Sequence, residues 1–181
     1  KGSTREIDPG WDRSASGLQE SFDGKTLYTA SDDWGEHALF AVDVRSGKAT
    51  KLSSGANVSG YSVGRKQLIL ARQDHKHPTD LYATNLKAER ATQITHFNAD
   101  RLADIRFGDT EFFTFKGYGG DTVQGYVVKP AEYVEGRKYP VAFIVHGGPQ
   151  GSMGNLFHYR WNPQTHAGKG YAAVFIDFHG S

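Results

Sequence analysis

A unit of about 42 residues occurs twice in the first half of the chain, and this repeat constrains the fold more than any other feature. The segment 38–44 (Ala-Leu-Phe-Ala-Val-Asp-Val) is matched by 80–86 (Asp-Leu-Tyr-Ala-Thr-Asn-Leu). At nearly the same spacing, 22–28 is matched loosely by 63–69. Each unit alternates short β-branched and aromatic runs with Gly-containing turns, which predicts about four short strands per unit.

A four-stranded unit of roughly 40–45 residues is the period of a β-propeller blade. Propellers close a ring of about four to eight blades, because a single blade cannot bury its own faces. Two units, and part of a third that begins near Leu102, therefore predict the last blades of a larger ring over residues 1–108. An ordinary β-sandwich with a chance repeat is the alternative. We expect the sequence to be a piece of a longer chain.

The pattern changes after residue 108. Runs of alternating and aromatic residues at 111–116 and 123–128 flank a Gly-rich turn and predict a hairpin. The continuous apolar run 141–145 predicts a central strand buried on both faces. A helix around 157–168 and a second buried strand at 172–177 follow. Strand, helix and strand in this order predict a βαβ crossover in a mostly parallel sheet.

Composition excludes several classes of function. Lys and Arg together number 21 and Asp and Glu 20, so no basic field attracts nucleic acid or anionic lipid. The apolar runs are far shorter than the ~20 residues of a membrane-spanning helix. We therefore expect neither nucleic acid nor membrane as a partner. The absence of Cys does not distinguish an oxidising from a reducing compartment.

The motif with the most chemical content is His146-Gly147-Gly148-Pro149, directly after the predicted strand 141–145. Glycines there let the backbone turn sharply and bring free N–H groups close to a ligand. In α/β-hydrolases a Gly-rich loop at this position supplies one oxyanion-hole N–H for acyl transfer. The other interpretation of the tetrapeptide is a loop that only turns the chain. The predicted strands around it favour the oxyanion loop.

No catalytic triad is visible in the sequence. The α/β-hydrolase triad needs Gly-x-Ser-x-Gly on a strand-to-helix turn, then an acid, then a His. The segment 150–154 (Gln-Gly-Ser-Met-Gly) has Ser152 but lacks the first glycine. The sequence thus holds one side of an active site and none of the triad, and we expect His146 to orient its own loop rather than act as a base.

Three other candidate sites have weaker support from the sequence. His75 and His77 have the short spacing of a metal site, but a solvated turn is the preferred interpretation. The acidic segment 32–36 lacks the ordered ligand spacing of a calcium loop. Asn57 begins a glycosylation sequon, which occurs often by chance. We therefore predict no metal and no cofactor.

Phe157, Tyr159 and Trp161 form an aromatic series in the predicted crossover helix. We expect these side chains to pack that helix on the sheet. The alternative is that they line a substrate cleft.

With these residues in view, the chain resembles the prolyl oligopeptidase family of serine peptidases, in its dipeptidyl-peptidase V-like and acylaminoacyl-peptidase-like branch. The matching segments are 11–14, 22–28, 124–130, 139–149 and 170–181. Many members carry Asn-x-Arg-Gly-Ser where this chain has Asp177-Phe-His-Gly-Ser181. This departure suggests a sub-branch, and the resemblance therefore does not fix the exact substrate preference.

The resemblance implies the last propeller blades over 1–108 and the N-terminal part of an α/β-hydrolase domain over 109–181. It implies a serine peptidase that hydrolyses short peptides, releasing dipeptides or acylated amino acids, with oligopeptides as substrates. Gly148 would donate one oxyanion N–H, and the catalytic Ser, Asp and His would lie beyond Ser181. This chain alone would therefore be inactive. Periplasmic or secreted location is favoured over cytoplasmic, and a homodimer is left open. A carboxylesterase and a non-catalytic propeller module that binds a partner protein are the alternatives.

Overall fold

The computed structural model describes residues 3–148 and 150–181, which form mostly β-strands with few, short helices. They divide into two compact units. The first comprises residues 3–72 and Asp80–Thr95, and the second comprises Gln73–Thr79 and His96–Ser181. The predicted domain boundary at 108/109 stays a prediction.

In the first unit, each sequence repeat forms one four-stranded sheet. The first sheet is ordered β1-β2-β3-β4 and the second β5-β6-β7-β8, so neighbours along the chain are neighbours in the sheet. The strands are β1 (Ser16–Glu20), β2 (Thr26–Asp33), β3 (Glu36–Asp43), β4 (Ala49–Lys51), β5 (Asn57–Val63), β6 (Gln67–Gln73), β7 (Asp80–Asn85) and β8 (Thr92–Gln93).

One apolar core joins the two sheets of this unit. Tyr28 and Leu39 of the first sheet pack with Val58, Leu68 and Leu70 of the second, and all five are buried. The Tyr28 hydroxyl donates to the Leu86 carbonyl at 3.0 Å. A repeat that presents alternate apolar residues on one face needs a neighbour to cover that face, and the second repeat does so here.

The second unit contains one mixed sheet, ordered β11-β12-β10-β9. β11 and β12 are parallel, whereas β10 pairs antiparallel with both β12 and β9. Its elements are α1 (Ala99–Leu102), β9 (Thr110–Lys116), a 3₁₀ turn (Tyr118–Gly120), β10 (Thr122–Val128), β11 (Val141–Ile144), α2 (Gln164–Ala167) and β12 (Ala172–Asp177). The predicted hairpin and the predicted strand at 172–177 are confirmed.

The prediction that 141–145 is a central strand is wrong for the described residues, where β11 lies at one end of the sheet order. Ile144 packs against the core, but Val141, Phe143 and Val145 are 57–63% exposed. An apolar run indicates a tendency to be buried, whereas the position of a strand within a sheet depends on pairing partners distant in sequence.

Two further predictions are wrong. The helix expected over 157–168 is limited to α2, which Pro163 precedes as its N-cap. Proline lacks the N–H that a helix continuing through it would need, and it disfavours helical backbone at the residue before it. The partial third repeat near Leu102 forms α1 and an irregular segment, and the described chain has no strand between β8 and β9.

Gly125 of β10 lies where any side chain would collide with its neighbours. A Cβ there would approach the Phe175 carbonyl oxygen to 2.5 Å and the ring of Phe113 to 2.9 Å. We expect Gly125→Ala to lower the free energy of unfolding by about 1–3 kcal/mol, as overpacking does. Urea unfolding measures this, with Gly60→Ala as the control because a Cβ at Gly60 meets only ordinary contacts. Equal stabilities of the two variants would contradict the prediction.

Candidate functional site

The candidate site lies at the edge of the mixed sheet where β11 and β12 end. Because these strands are parallel, their following loops, 145–152 and 178–181, emerge at the same edge. β10 is antiparallel to β12, so it begins at this edge, with Gln124 opposite Asp177. Three separate stretches of sequence therefore bring polar side chains together.

His146 connects the two loops. Its Nε2 lies 2.8 Å from the Ser181 Oγ, and its Nδ1 lies 3.0 Å from the Gly147 carbonyl oxygen. A carbonyl only accepts, so Nδ1 carries the proton and Nε2 accepts from the Ser181 hydroxyl. The imidazole also stacks on Phe178, with ring centroids 4.5 Å apart and planes at 11°. These contacts hold the loop after β11 against the loop after β12.

Gly148 has a backbone conformation that favours glycine, with φ at +138°. A Cβ at Gly148 would lie 2.5 Å from the Gln150 carbonyl oxygen, whereas a Cβ at Gly147 would meet open space. Neither glycine N–H donates a hydrogen bond within the described residues, so both are available to an external acceptor. Pro149, the last residue of the motif, lies outside the described residues.

Asp177 is the acceptor at the centre of a second polar group. Its Oδ2 accepts from the Ser152 hydroxyl at 2.7 Å and from the Gln124 amide at 3.0 Å. At the same edge, His179 Nδ1 lies 2.8 Å from Asp121 Oδ2. Ser152 thus contacts a carboxylate and Ser181 an imidazole. Among the described residues, these contacts do not link a serine, a histidine and a carboxylate in one continuous series of hydrogen bonds.

The acidic segment 32–36 is neutralised by basic side chains of the first unit. Lys51 Nζ lies 3.0 Å from Asp33 and 3.2 Å from Glu36, and Arg13 Nε donates to Asp33 at 3.1 Å. Burial would raise the pKa of Asp33, but the hydrogen bonds from Arg13 and Lys51 outweigh it, and the pKa is lowered. These carboxylates are ion-paired partners of Arg13 and Lys51, which explains their presence without a calcium ion.

Asn57, the sequon residue, is buried, and its Oδ1 accepts from the His37 backbone N–H. The side chain therefore packs inside the first unit rather than facing solvent.

The solvated turn predicted at His75 is wrong. His75 is 2% exposed, and its Nε2 donates to the Gly154 carbonyl oxygen at 2.9 Å. Its neighbour His77 is exposed and pairs with Asp74 at 2.9 Å. Within the described chain, no three potential metal-ligating side chains cluster.

The aromatic series does not pack a helix on the sheet as predicted. Tyr159 and Trp161 are largely exposed, and Phe157 makes an edge-to-face contact with Tyr159 at 5.1 Å. Their segment is irregular because α2 begins only at Gln164. Whether they line a substrate cleft stays a prediction.

Sequence reasoning missed Gln124 and Asp177 as residues of this region. It also missed the burial of His75, which it considered only for its metal-site spacing. A polar residue that ends a buried parallel strand, such as Asp177, is a usable signal, because ligands bind at the carboxyl ends of such strands. His75 gave no such signal.

Comparisons with known proteins give consistent results, although no family model matches the chain. It is 33% identical over 170 residues to a probable dipeptidyl-peptidase 5 of Aspergillus clavatus, covering 91% of this chain and 23% of that protein. A dipeptidyl-peptidase 5 of Porphyromonas endodontalis is 31% identical over 146 residues, covering 80% of this chain and 21% of that protein.

A solved structure of an acylaminoacyl peptidase in complex with Z-Gly-Gly-Phe-chloromethyl ketone superposes with a TM-score of 0.75 at 26% identity. The match covers 92% of this chain and 25% of that one. The chain thus spans about a quarter of the length of the proteins it matches. Among the described residues, no helix is long and apolar enough to cross a membrane.

Proposed function

Since the chain belongs to the prolyl oligopeptidase family, we propose that it is part of a serine peptidase that hydrolyses short peptides. In this proposal, residues 1–108 form the last blades of a β-propeller and 109–181 the N-terminal part of an α/β-hydrolase domain. The catalytic Ser, Asp and His lie in sequence beyond Ser181. The relatives' names favour release of dipeptides or acylated amino acids from oligopeptides.

The observation that carries the proposal is the loop after β11. Its two glycine N–H groups are unpaired among the described residues and lie at the carboxyl edge of a parallel strand pair. The positive φ of Gly148 turns the backbone at this point. Donors fixed in this way stabilise negative charge as it develops on an oxygen, without reorganising during the reaction.

The roles follow from acyl-transfer chemistry. The serine hydroxyl attacks the peptide carbonyl carbon while the histidine takes its proton, and the carbonyl oxygen becomes an oxyanion. The Gly148 N–H donates to that oxyanion together with the N–H of the residue after the nucleophile. The amine leaves with a proton from the histidine, and water then hydrolyses the acyl-enzyme. His146, held by Ser181 and Phe178, fixes the loop that carries the donor.

A fluorophosphonate probe tests the proposal on the full-length natural protein that contains this sequence. We expect its intact mass to be several times 19.9 kDa and to rise by one probe adduct. Peptide mapping should place the adduct on a serine in a Gly-x-Ser-x-Gly sequence beyond residue 181. The 181-residue chain expressed alone should take up no probe.

Substrate assays separate the peptidase from the alternative esterase. We expect the full-length protein to cleave dipeptidyl or acylaminoacyl amides as well as simple esters. Cleavage of esters alone would favour a carboxylesterase. Neither labelling nor hydrolysis would favour a non-catalytic binding module and would overturn the proposal.

A further inference from the structure

A short segment between β6 and β7 supplies contacts to the loop that follows the Gly148 turn. This segment, Gln73–Thr79, belongs to the second compact unit. Gln73 Oε1 accepts from the Phe157 backbone N–H at 3.1 Å, and the His75 backbone N–H donates to Asn155 Oδ1 at 3.3 Å. The His75 side chain donates to the Gly154 carbonyl oxygen. The segment thus contacts 154–157 at three points.

The His75 ring contacts two aromatic rings in the core of the mixed sheet. It meets Tyr126 edge-on at 5.2 Å and Phe175 at 5.3 Å between ring centroids. Because Gly154 presents a carbonyl, His75 Nε2 must carry the proton, which leaves Nδ1 as a bare lone pair. Nδ1 is buried and has no hydrogen-bond partner among the described residues. The carboxylate of Asp74 acts electrostatically on the imidazole and favours its charged form.

The loop 150–157 is therefore held both at the sheet edge and by the segment 73–79. Ser152 binds Asp177 at the sheet edge, and Gly154 binds His75 inside the unit. The loop starts at Gln150, whose carbonyl oxygen faces the Gly148 backbone closely enough to exclude a Cβ. Gly154 is six residues after Gly148, so only a short stretch of chain separates the contact with His75 from the Gly148 turn.

We propose that His75 is a positioning residue for the Gly148 oxyanion loop, acting through its hydrogen bond to the Gly154 carbonyl. This inference rests on the proposed function, because only a reaction that uses the Gly148 N–H would respond to its position. His75 itself touches no reacting atom in this proposal. It holds the loop so that the donor stays aimed at the developing oxyanion.

Two substitutions at His75 separate the hydrogen bond from the packing of the ring. In the full-length protein, we expect His75→Phe, which keeps a ring but removes the donor, to lower kcat about tenfold with KM changed less than twofold. His75→Gln places an amide donor near the Nε2 position, and we expect it to recover most of the lost kcat. His77→Phe, in the same segment but exposed, should leave kcat unchanged.

Hydrogen exchange on the same variants provides a readout that does not depend on catalysis. Peptides covering 150–157 should exchange faster in His75→Phe than in the wild type, and His77→Phe should match the wild type. A His75→Phe variant with a lower melting temperature but unchanged kcat and unchanged exchange at 150–157 would overturn the positioning role. If the wild type neither hydrolyses peptides nor binds the probe, the proposed function fails. Unchanged hydrogen exchange at 150–157 in His75→Phe would separately show that the hydrogen bond from His75 does not hold this loop.

Discussion

Replacing Gly148 by alanine in the full-length protein is expected to lower kcat by about 10²–10³-fold, the usual effect of losing one oxyanion-hole donor. Two features of the backbone require glycine here. The φ angle of +138° is rarely adopted by other residues, and a Cβ would lie 2.5 Å from the Gln150 carbonyl oxygen. The alanine variant must therefore move the peptide unit whose N–H we assign to the oxyanion.

Gly147 provides a matched control one residue away. A Cβ at Gly147 meets no atom within 4 Å, and its φ is outside the left-handed region. We expect Gly147→Ala to retain kcat within about threefold, since the backbone there need not shift. Steady-state kinetics on a dipeptidyl amide and melting temperatures measure both variants. Equal kcat values for the two, with equal stabilities, would show that the Gly148 N–H is no oxyanion donor.

Patterns that are local in sequence predicted much of the fold. Alternation of apolar residues, joined by Gly-containing turns, gave the two repeats that form the two sheets of the first unit. The hairpin of β9 and β10 and the bounds of β12 followed from the same local rules. Turn chemistry and the period of apolar side chains are properties of a few consecutive residues, so they can be predicted from the sequence alone.

Features that depend on distant partners were not predictable in this way. β11 is as apolar as a central strand, yet its place in the sheet is decided by which strands pair with it. His75 is polar and lies in a Pro-containing segment, which favours a solvated turn. Its burial depends on Gly154, 79 residues later, and on the rings of Tyr126 and Phe175.

The candidate site falls between these two cases. The parallel pairing of β11 and β12 follows from the βαβ order, and it places His146 and Ser181 at one edge although 35 residues separate them. The hydrogen bond between them, and the role of Asp177 as the acceptor for Ser152 and Gln124, depend on side-chain geometry. No spacing in the sequence encodes that geometry.

The burial of His75 also predicts that the protein loses stability in mild acid. Burial disfavours the charged imidazolium and lowers the pKa of His75 from 6.5 to about 4, against the opposing effects of the Gly154 carbonyl and Asp74. The unfolded chain takes up this proton near pH 6.5, so it binds more protons than the folded chain between these two values. The contribution of the neutral His75 to the free energy of unfolding is complete above about pH 6.5 and declines as the pH falls to about 4.

The expected loss across this window is on the order of 3 kcal/mol in the free energy of unfolding. The carboxylates with resolved shifts all have a pKa lowered from 3.8, so their contributions to stability are lost only as the pH falls below this window. They are Asp23, Asp32, Asp33, Asp43 and Asp109. Urea unfolding at pH 7.5, 6, 5 and 4.5 measures the slope directly.

The His75→Phe variant tests whether His75 causes this dependence of the free energy of unfolding on pH. We expect the variant to be less stable at pH 7.5, because the Gly154 carbonyl loses its donor, but to lose much less stability than the wild type on acidification. The exposed His77 gives the control, and His77→Phe should keep the wild-type slope. If His75→Phe and the wild type lose the same free energy between pH 7.5 and 4.5, the imidazole is not held neutral by burial.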